Sequence, residues 1–186
     1  KIMDTTEGVH KPLGKYIINN VVFSKFDLVV PKLRGAGYKV FDHPFDKESV
    51  LVALPVKWDT VEFDVVNGME VNLESAIDQL ERYKMLMVNW CQQNVSATIS
   101  YDVNEVPVII DWLLNNWDNY VGVSFLFRND PTKTAADLGY PYLPQEVVTK
   151  EVFEKYVAGI VDFELDETTV SDTLDDDCAT GMCPIR

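Results

Sequence analysis

One stretch of the chain restricts its fold more than any other. Between residues 95 and 127 the hydrophobic pattern changes period twice. Val95, Ala97, Ile99 and Tyr101 alternate with Ser96, Thr98 and Ser100, the period of two that marks a strand. Asn104 then opens a helix with Pro107 in its first turn, and Ile109, Trp112, Leu113 and Trp117 fall on one buried face. Val121 to Phe127 follows as a near-continuous apolar run, the pattern of a strand covered on both faces. Strand, helix, strand in that order is a βαβ unit, which requires parallel strands and a right-handed crossover. The expected class is therefore α/β.

The flanking segments extend this reading. Asn72 precedes Leu73, Ala76, Ile77, Leu80, Tyr83, Met87, Trp90 and Cys91, one face of a helix with Asn72 as its N-cap. Residues 15–23 and 50–56 read as strands. A short helix over 27–34 ends at the Gly35-Ala36-Gly37 group. A last helix is expected after Pro144, over 145–158.

Charge divides the chain. Asp162 to Asp177 contains eight acids and no Lys or Arg. Residues 1–160 are thus expected to form the globular part, and 161–186 a mobile acidic tail. The whole carries a formal charge of −14, which repels phosphate backbones and anionic lipid and so argues against nucleic-acid or membrane binding through a basic patch. No apolar run approaches the roughly 18 residues of a membrane helix. The N-terminus has no signal-peptide core, so the expected compartment is the cytoplasm. It also lacks an initiator Met, which suits a processed or truncated start.

The residues with most chemical content close the chain: Asp175-Asp-Asp-Cys178-Ala-Thr-Gly-Met-Cys183-Pro-Ile-Arg186. Cys178 and Cys183 are close enough in sequence to meet the roughly 4.4–6.8 Å Cα separation of a disulfide. Three readings stand: two incidental thiols, a metal site, or a redox dithiol on a moving arm. Zinc wants four ligands and the tail offers two, which favours the redox reading. The three aspartates disfavour the Cys178 thiolate, so it needs help to attack. Cys91 reads as a buried structural thiol, and His10 and His43 as isolated loop histidines. There is no Walker loop, no G-x-G-x-x-G and no G-x-S-x-G.

Three segments together resemble the ribonucleotide reductases. Asp4-Thr-Thr-Glu-Gly-Val-His-Lys-Pro-Leu-Gly-Lys-Tyr-Ile17 is similar to the loop and strand after that family's phosphate-binding turn. Asn94 to Asp102, the following helix, and Tyr120 to Phe127 are similar to the last strands of its ten-stranded α/β barrel. The terminal C-x4-C resembles the family's tail dithiol. The resemblance is strongest to the monomeric adenosylcobalamin-dependent (class II) ribonucleoside-triphosphate reductases. The iron-dependent members carry a tyrosine pair in the last strand, whereas this chain reads Ser124-Phe-Leu-Phe-Arg128 there.

The resemblance implies a fold, the C-terminal half of that barrel followed by the acidic tail. It implies an activity, thiyl-radical reduction of ribonucleoside triphosphates to deoxyribonucleotides for DNA synthesis, with adenosylcobalamin as cofactor. It gives Cys178 and Cys183 the role of redox shuttle, reducing the active-site disulfide after each turnover and being re-reduced by thioredoxin. Gly8 and His10, in the first similar segment, become candidate substrate contacts. The thiyl cysteine, its partner carboxylate and the phosphate turn are not found, so an upstream half of the same enzyme is an expected partner. The alternatives are a non-catalytic binding or scaffold protein with half the fold, and a stand-alone thiol-disulfide carrier.

Overall fold

The structure, a computed structural model, describes residues 8–164. Two nine-residue strands form its backbone, β1 (Tyr16–Ser24) and β3 (Ser49–Lys57). Both are rich in Val and Ile, whose branched side chains suit a pleated surface. They pair antiparallel along their whole length, from Tyr16 opposite Lys57 to Ser24 opposite Ser49. β2 (Val40–Asp42) lies on the far side of β3 and β8 (Gln145–Val147) on the far side of β1, giving the order β2-β3-β1-β8. A hairpin of β4 (Asp64–Val66) and β5 (Met69–Val71) turns at Asn67-Gly68, both with positive φ.

Two helices cover this sheet. α1 (Val29–Gly35) inserts Val30 and Leu33 against Val50 and Val52. α4 (Lys150–Val157) sets Phe153 against the Tyr16 ring, with centroids 5.2 Å apart. Gly37 closes α1 at φ +95°, and a Cβ there would lie 2.3 Å from the Gly159 carbonyl oxygen. That close crossing seats the exit of α4 on α1. The Val161 N–H donates to the Ala36 carbonyl at 2.9 Å, and the Phe163 ring meets Tyr38 edge-on.

The second core holds the βαβ unit. β6 (Thr98–Tyr101) and β7 (Ser124–Phe127) are parallel, paired from Thr98 with Ser124 to Tyr101 with Phe127. α3 (Val106–Asn115) crosses between them, and α2 (Ala76–Asn89) packs alongside. Ala76, Leu80, Tyr83, Ala97, Ile99, Ile109 and Trp112 form the buried cluster. The mixed α/β class is thus observed. Among the described residues the parallel arrangement is confined to β6 and β7, and the largest sheet is antiparallel.

Several expectations are corrected. β7 is not covered on both faces: Phe125, Leu126 and Phe127 are 39%, 61% and 53% exposed. Trp117 is also exposed, because it falls after the Asn116 C-cap and has left the buried face of α3. Residues 145–147 are strand, drawn out by pairing with Ile17–Asn19, and α4 begins only after its Thr149 N-cap. Asn72 does not cap α2. Its Oδ1 accepts from the Glu74 N–H in a turn that leads to the true cap, Ser75, whose Oγ accepts from Asp78. Asp102, not Asn104, opens the single 3-10 turn before α3, and Glu105 completes a capping box there. Cys91 lies past the end of α2 and is only half-buried.

Candidate functional site

The candidate site forms around β6, whose two edges differ. Toward β7, the Ala97 and Tyr101 carbonyls accept from Ser124 and Arg128 at 3.0 and 2.8 Å. On the other edge three successive outward N–H groups each meet a side chain. Thr98 donates to His10 Nε2 at 3.0 Å, Ser100 to Gln79 Oε1 at 2.9 Å, and Asp102 to Glu105 Oε2 at 2.8 Å. The Gln79 amide also returns a bond from Nε2 to the Ser100 carbonyl at 2.9 Å. This paired donor and acceptor copies what a neighbouring strand would offer.

At the C-terminal ends of β6 and β7, Arg128 joins the elements together. Its Nη2 donates to the Glu74 carbonyl at 2.8 Å, the Ser100 carbonyl at 3.0 Å and Glu105 Oε2 at 3.1 Å. Glu105 Oε1 accepts from the Ala76 N–H at 2.7 Å, the first N–H of α2. The Glu74 carboxylate pairs with Arg82, eight residues further on. Burial lowers the Arg82 pKa, though the guanidinium stays charged. Every charged group in this network is committed to backbone or to an opposite charge, so its role is to hold β6, β7 and two helix starts in register. Reading from sequence missed Arg128, Gln79 and Glu105. Only the spacing of Asp102 and Glu105, a capping-box pattern, signals any of them.

The residues chosen from sequence fall in three places. Gly8 has φ +60° and open space where a Cβ would point, and it borders a groove of about 600 Å³ with Val9, Leu86, Trp90, Cys91 and Val95. His10 is next to that groove, its Nε2 taken by the β6 edge. It therefore fixes the loop that carries Gly8. His43 is remote from both. Its Nδ1 accepts from the Phe45 and Asp46 N–H groups and its Nε2 meets the Tyr142 hydroxyl at 3.2 Å. Cys178 and Cys183 lie outside the described residues. No group of three or more His, Cys, Asp or Glu able to hold a metal occurs among the described residues. No described helix is long and apolar enough to cross a membrane.

Comparison with known proteins supplies the decisive observation. Along 100% of its length the chain aligns with the adenosylcobalamin-dependent ribonucleoside-triphosphate reductase of Levilactobacillus brevis, at 27% identity over 192 residues. The chain is similar throughout to class II ribonucleotide reductases. The Lactobacillus leichmannii reductase aligns at 25% identity over 197 residues. A probable reductase of the same name from Dictyostelium discoideum aligns at 27% over 97% of the chain. A crystal structure of a B12-dependent class II ribonucleotide reductase superimposes on 92% of the chain with a TM-score of 0.65, at 23% identity. No family model matches. The chain spans about a quarter of these reductases, 25% of the first and 22% of the crystallised chain. The resemblance read from the three sequence segments therefore holds across the whole chain.

Proposed function

We propose that the chain is the C-terminal part of an adenosylcobalamin-dependent ribonucleoside-triphosphate reductase, active once joined to its upstream half. The observation that carries this reading is the end-to-end similarity to reductases four times its length. The open edge of β7 supports it. The outward N–H groups of Phe125 and Phe127 meet no strand among the described residues, and both faces expose apolar side chains. α3 supports it too, since Val108, Ile110 and Leu114 face outward while Ile109 and Trp112 face the core. Exposed apolar residues on a helix that already buries one face mark a second surface to be covered.

Two grooves among the described residues hold about 590 and 600 Å³. Adenosylcobalamin would supply radical chemistry in the joined enzyme. In this reading the 1–160 part completes the barrel wall. Gly8 leaves its backbone open to substrate and His10 positions that loop. The 161–186 tail carries the reducing equivalents. Cys178 and Cys183 give two electrons and two protons to the active-site disulfide by thiol-disulfide exchange and leave as a disulfide, which thioredoxin returns to the dithiol.

Mixing the chain with the upstream half, adenosylcobalamin, nucleoside triphosphate and thioredoxin tests the reading. Deoxynucleotide should form in the mixture and from neither half alone. Cys178→Ser or Cys183→Ser should stop repeated turnover with thioredoxin yet leave one turnover from pre-reduced enzyme. Full activity from the isolated chain would overturn the proposal, and so would an inert mixture of two folded halves.

A further inference from the structure

The tip of the β4–β5 hairpin carries the one Asn-Gly pair in the chain, Asn67-Gly68. The two residues hold φ of 51° and 79°, the two-residue turn for which this pair is favoured. Both are exposed, and a Cβ on Gly68 would meet nothing within 4 Å. Neither the Asn67 carboxamide nor the Gly68 N–H is hydrogen-bonded among the described residues. An unheld asparagine side chain thus precedes the backbone nitrogen of glycine, the residue with no Cβ to crowd an approach. Every other asparagine precedes a residue that has one.

The hairpin is peripheral, yet other parts of the chain hang on it. β4 and β5 form a two-stranded sheet, and Val65 is 71% exposed. An isolated pair of short strands opens at its tip at low cost. β5 and the residue after it hold the segment that runs from His10 into β1. The Lys15 N–H donates to the Glu70 carbonyl at 3.0 Å, and the Asn72 N–H donates to the Leu13 carbonyl at 2.8 Å. Asn72 Nδ2 donates to the Lys11 carbonyl at 3.2 Å. Gly14 bridges to the buried Val71, and Lys15 Nζ pairs with Glu70 at 3.2 Å.

We infer that Asn67-Gly68 is a site of spontaneous deamidation through a succinimide, and that its isoaspartyl product releases residues 11–15 from β5. When the hairpin tip opens, the Gly68 nitrogen attacks Asn67 Cγ within the same chain. The new C–N bond closes a five-membered ring as the Cγ–Nδ2 bond breaks, and the Gly68 amide proton leaves with the amide group as ammonia. Water then opens the ring. Breaking the bond from Gly68 N to Cγ leaves aspartate. Breaking the bond from Gly68 N to the residue-67 carbonyl carbon leaves isoaspartate, with the main chain rerouted through Cβ and Cγ. Nothing is oxidised or reduced. The rerouted chain is one carbon longer, so a two-residue turn no longer fits the Val66–Met69 register. Either product also adds a negative charge to a hairpin that already carries Asp64 and Glu70. The inference stands independently of the reductase reading.

The test ages the intact chain in mildly alkaline buffer and reads it by peptide mass and by hydrogen exchange. A gain of about 1 Da, –NH2 replaced by –OH, should appear first in the peptide that contains Asn67. Isoaspartyl methyltransferase should then methylate the aged chain and leave the fresh chain unmodified. In the isoaspartyl fraction the Lys15 and Asn72 amides should exchange about tenfold faster, equivalent to ~1.4 kcal/mol of lost protection. Asn67→Gly keeps a turn of positive φ and has no amide to lose, so it should age without either change. Asn67→Asp keeps the turn and adds the charge alone, so its fresh form should retain slow exchange at Lys15. The wild-type readouts do not depend on either variant folding. Mass gained first at another asparagine overturns the inference, as does an unmodified chain once a free peptide of residues 62–72 has converted. Unchanged exchange in the isoaspartyl chain overturns the release of residues 11–15, and fast exchange in fresh, folded Asn67→Asp overturns the role given to the inserted carbon.

Discussion

Arg128→Met removes the cation that ties β7 to β6, α2 and the start of α3. Its Nη2 faces three oxygens within 3.1 Å but carries only two hydrogens, so the count is two full bonds with one shared. Hydrogen bonds to a charged partner contribute about 1.5–3 kcal/mol each, a ceiling near 3–6 kcal/mol. Two facts reduce it. The Ser100 carbonyl keeps its bond from Gln79, and Glu105 keeps the Ala76 and Asp102 N–H groups. Water also reaches both side chains, which are 22% and 19% exposed. The expected loss is about 2–4 kcal/mol, read as a lower midpoint in urea unfolding of the whole chain. Arg128→Lys should fall between, since an ammonium holds the charge without the planar fork. The exposed Lys155→Met serves as a control and should change stability by less than about 0.5 kcal/mol. A loss below about 1 kcal/mol for Arg128→Met, equal to that of the lysine variant, would refute the claim that this network holds the βαβ unit in register.

Three further outcomes are expected. Trp112→Ala should cost about 3–5 kcal/mol, because a buried ring is lost; Trp112→Phe should cost about 1 kcal/mol, mainly the 2.6 Å bond from its indole to Glu81, and an unchanged unfolding midpoint in both would show the face to be misassigned. Gly37→Ala should destabilise by more than about 1 kcal/mol, since the new Cβ meets the Gly159 carbonyl in a left-handed conformation, whereas Gly35→Ala, with open space around it, should not. The Tyr156 hydroxyl donates to the Ala53 carbonyl at 2.7 Å, and burial raises its pKa above the usual phenol value. A raised folded-state pKa means stability that is complete below about pH 10 and lost as pH rises through the folded value, so the wild-type unfolding midpoint should fall more steeply above about pH 10 than that of Tyr156→Phe.

The sequence reveals elements wherever one period runs long enough to be counted. β1, β3, α2 and the β6–α3–β7 unit are all readable for that reason. β2, β4, β5 and β8 have three residues each, too short for any period, and their positions are set by partners distant in sequence. The errors at β7 and Trp117 share one direction, in that apolar residues expected to be buried are exposed. Such residues encode a cover, and sequence does not say whether the cover is in the same chain. The site was legible only in part. Gly8 borders a groove whose lining does not include His10, and the Gln79, Glu105 and Arg128 network joins residues up to 54 positions apart, as Arg128 to Glu74 shows. Local spacing announces only the capping-box pair Asp102 and Glu105.

The unequal edges of β6 and β7 set a limit on self-association. A sheet with two open edges behaves like a bifunctional monomer, and edge-to-edge pairing can then run on into a fibre. Here His10, Gln79 and Glu105 occupy the outer N–H groups of β6, leaving β7 as the one open edge of this two-stranded sheet among the described residues. A monofunctional unit terminates any chain it joins. Two copies that met through this sheet would consume both free ends and stop as a pair related by a two-fold axis. The same valence of one means that a correct partner strand has a single place to add on this sheet.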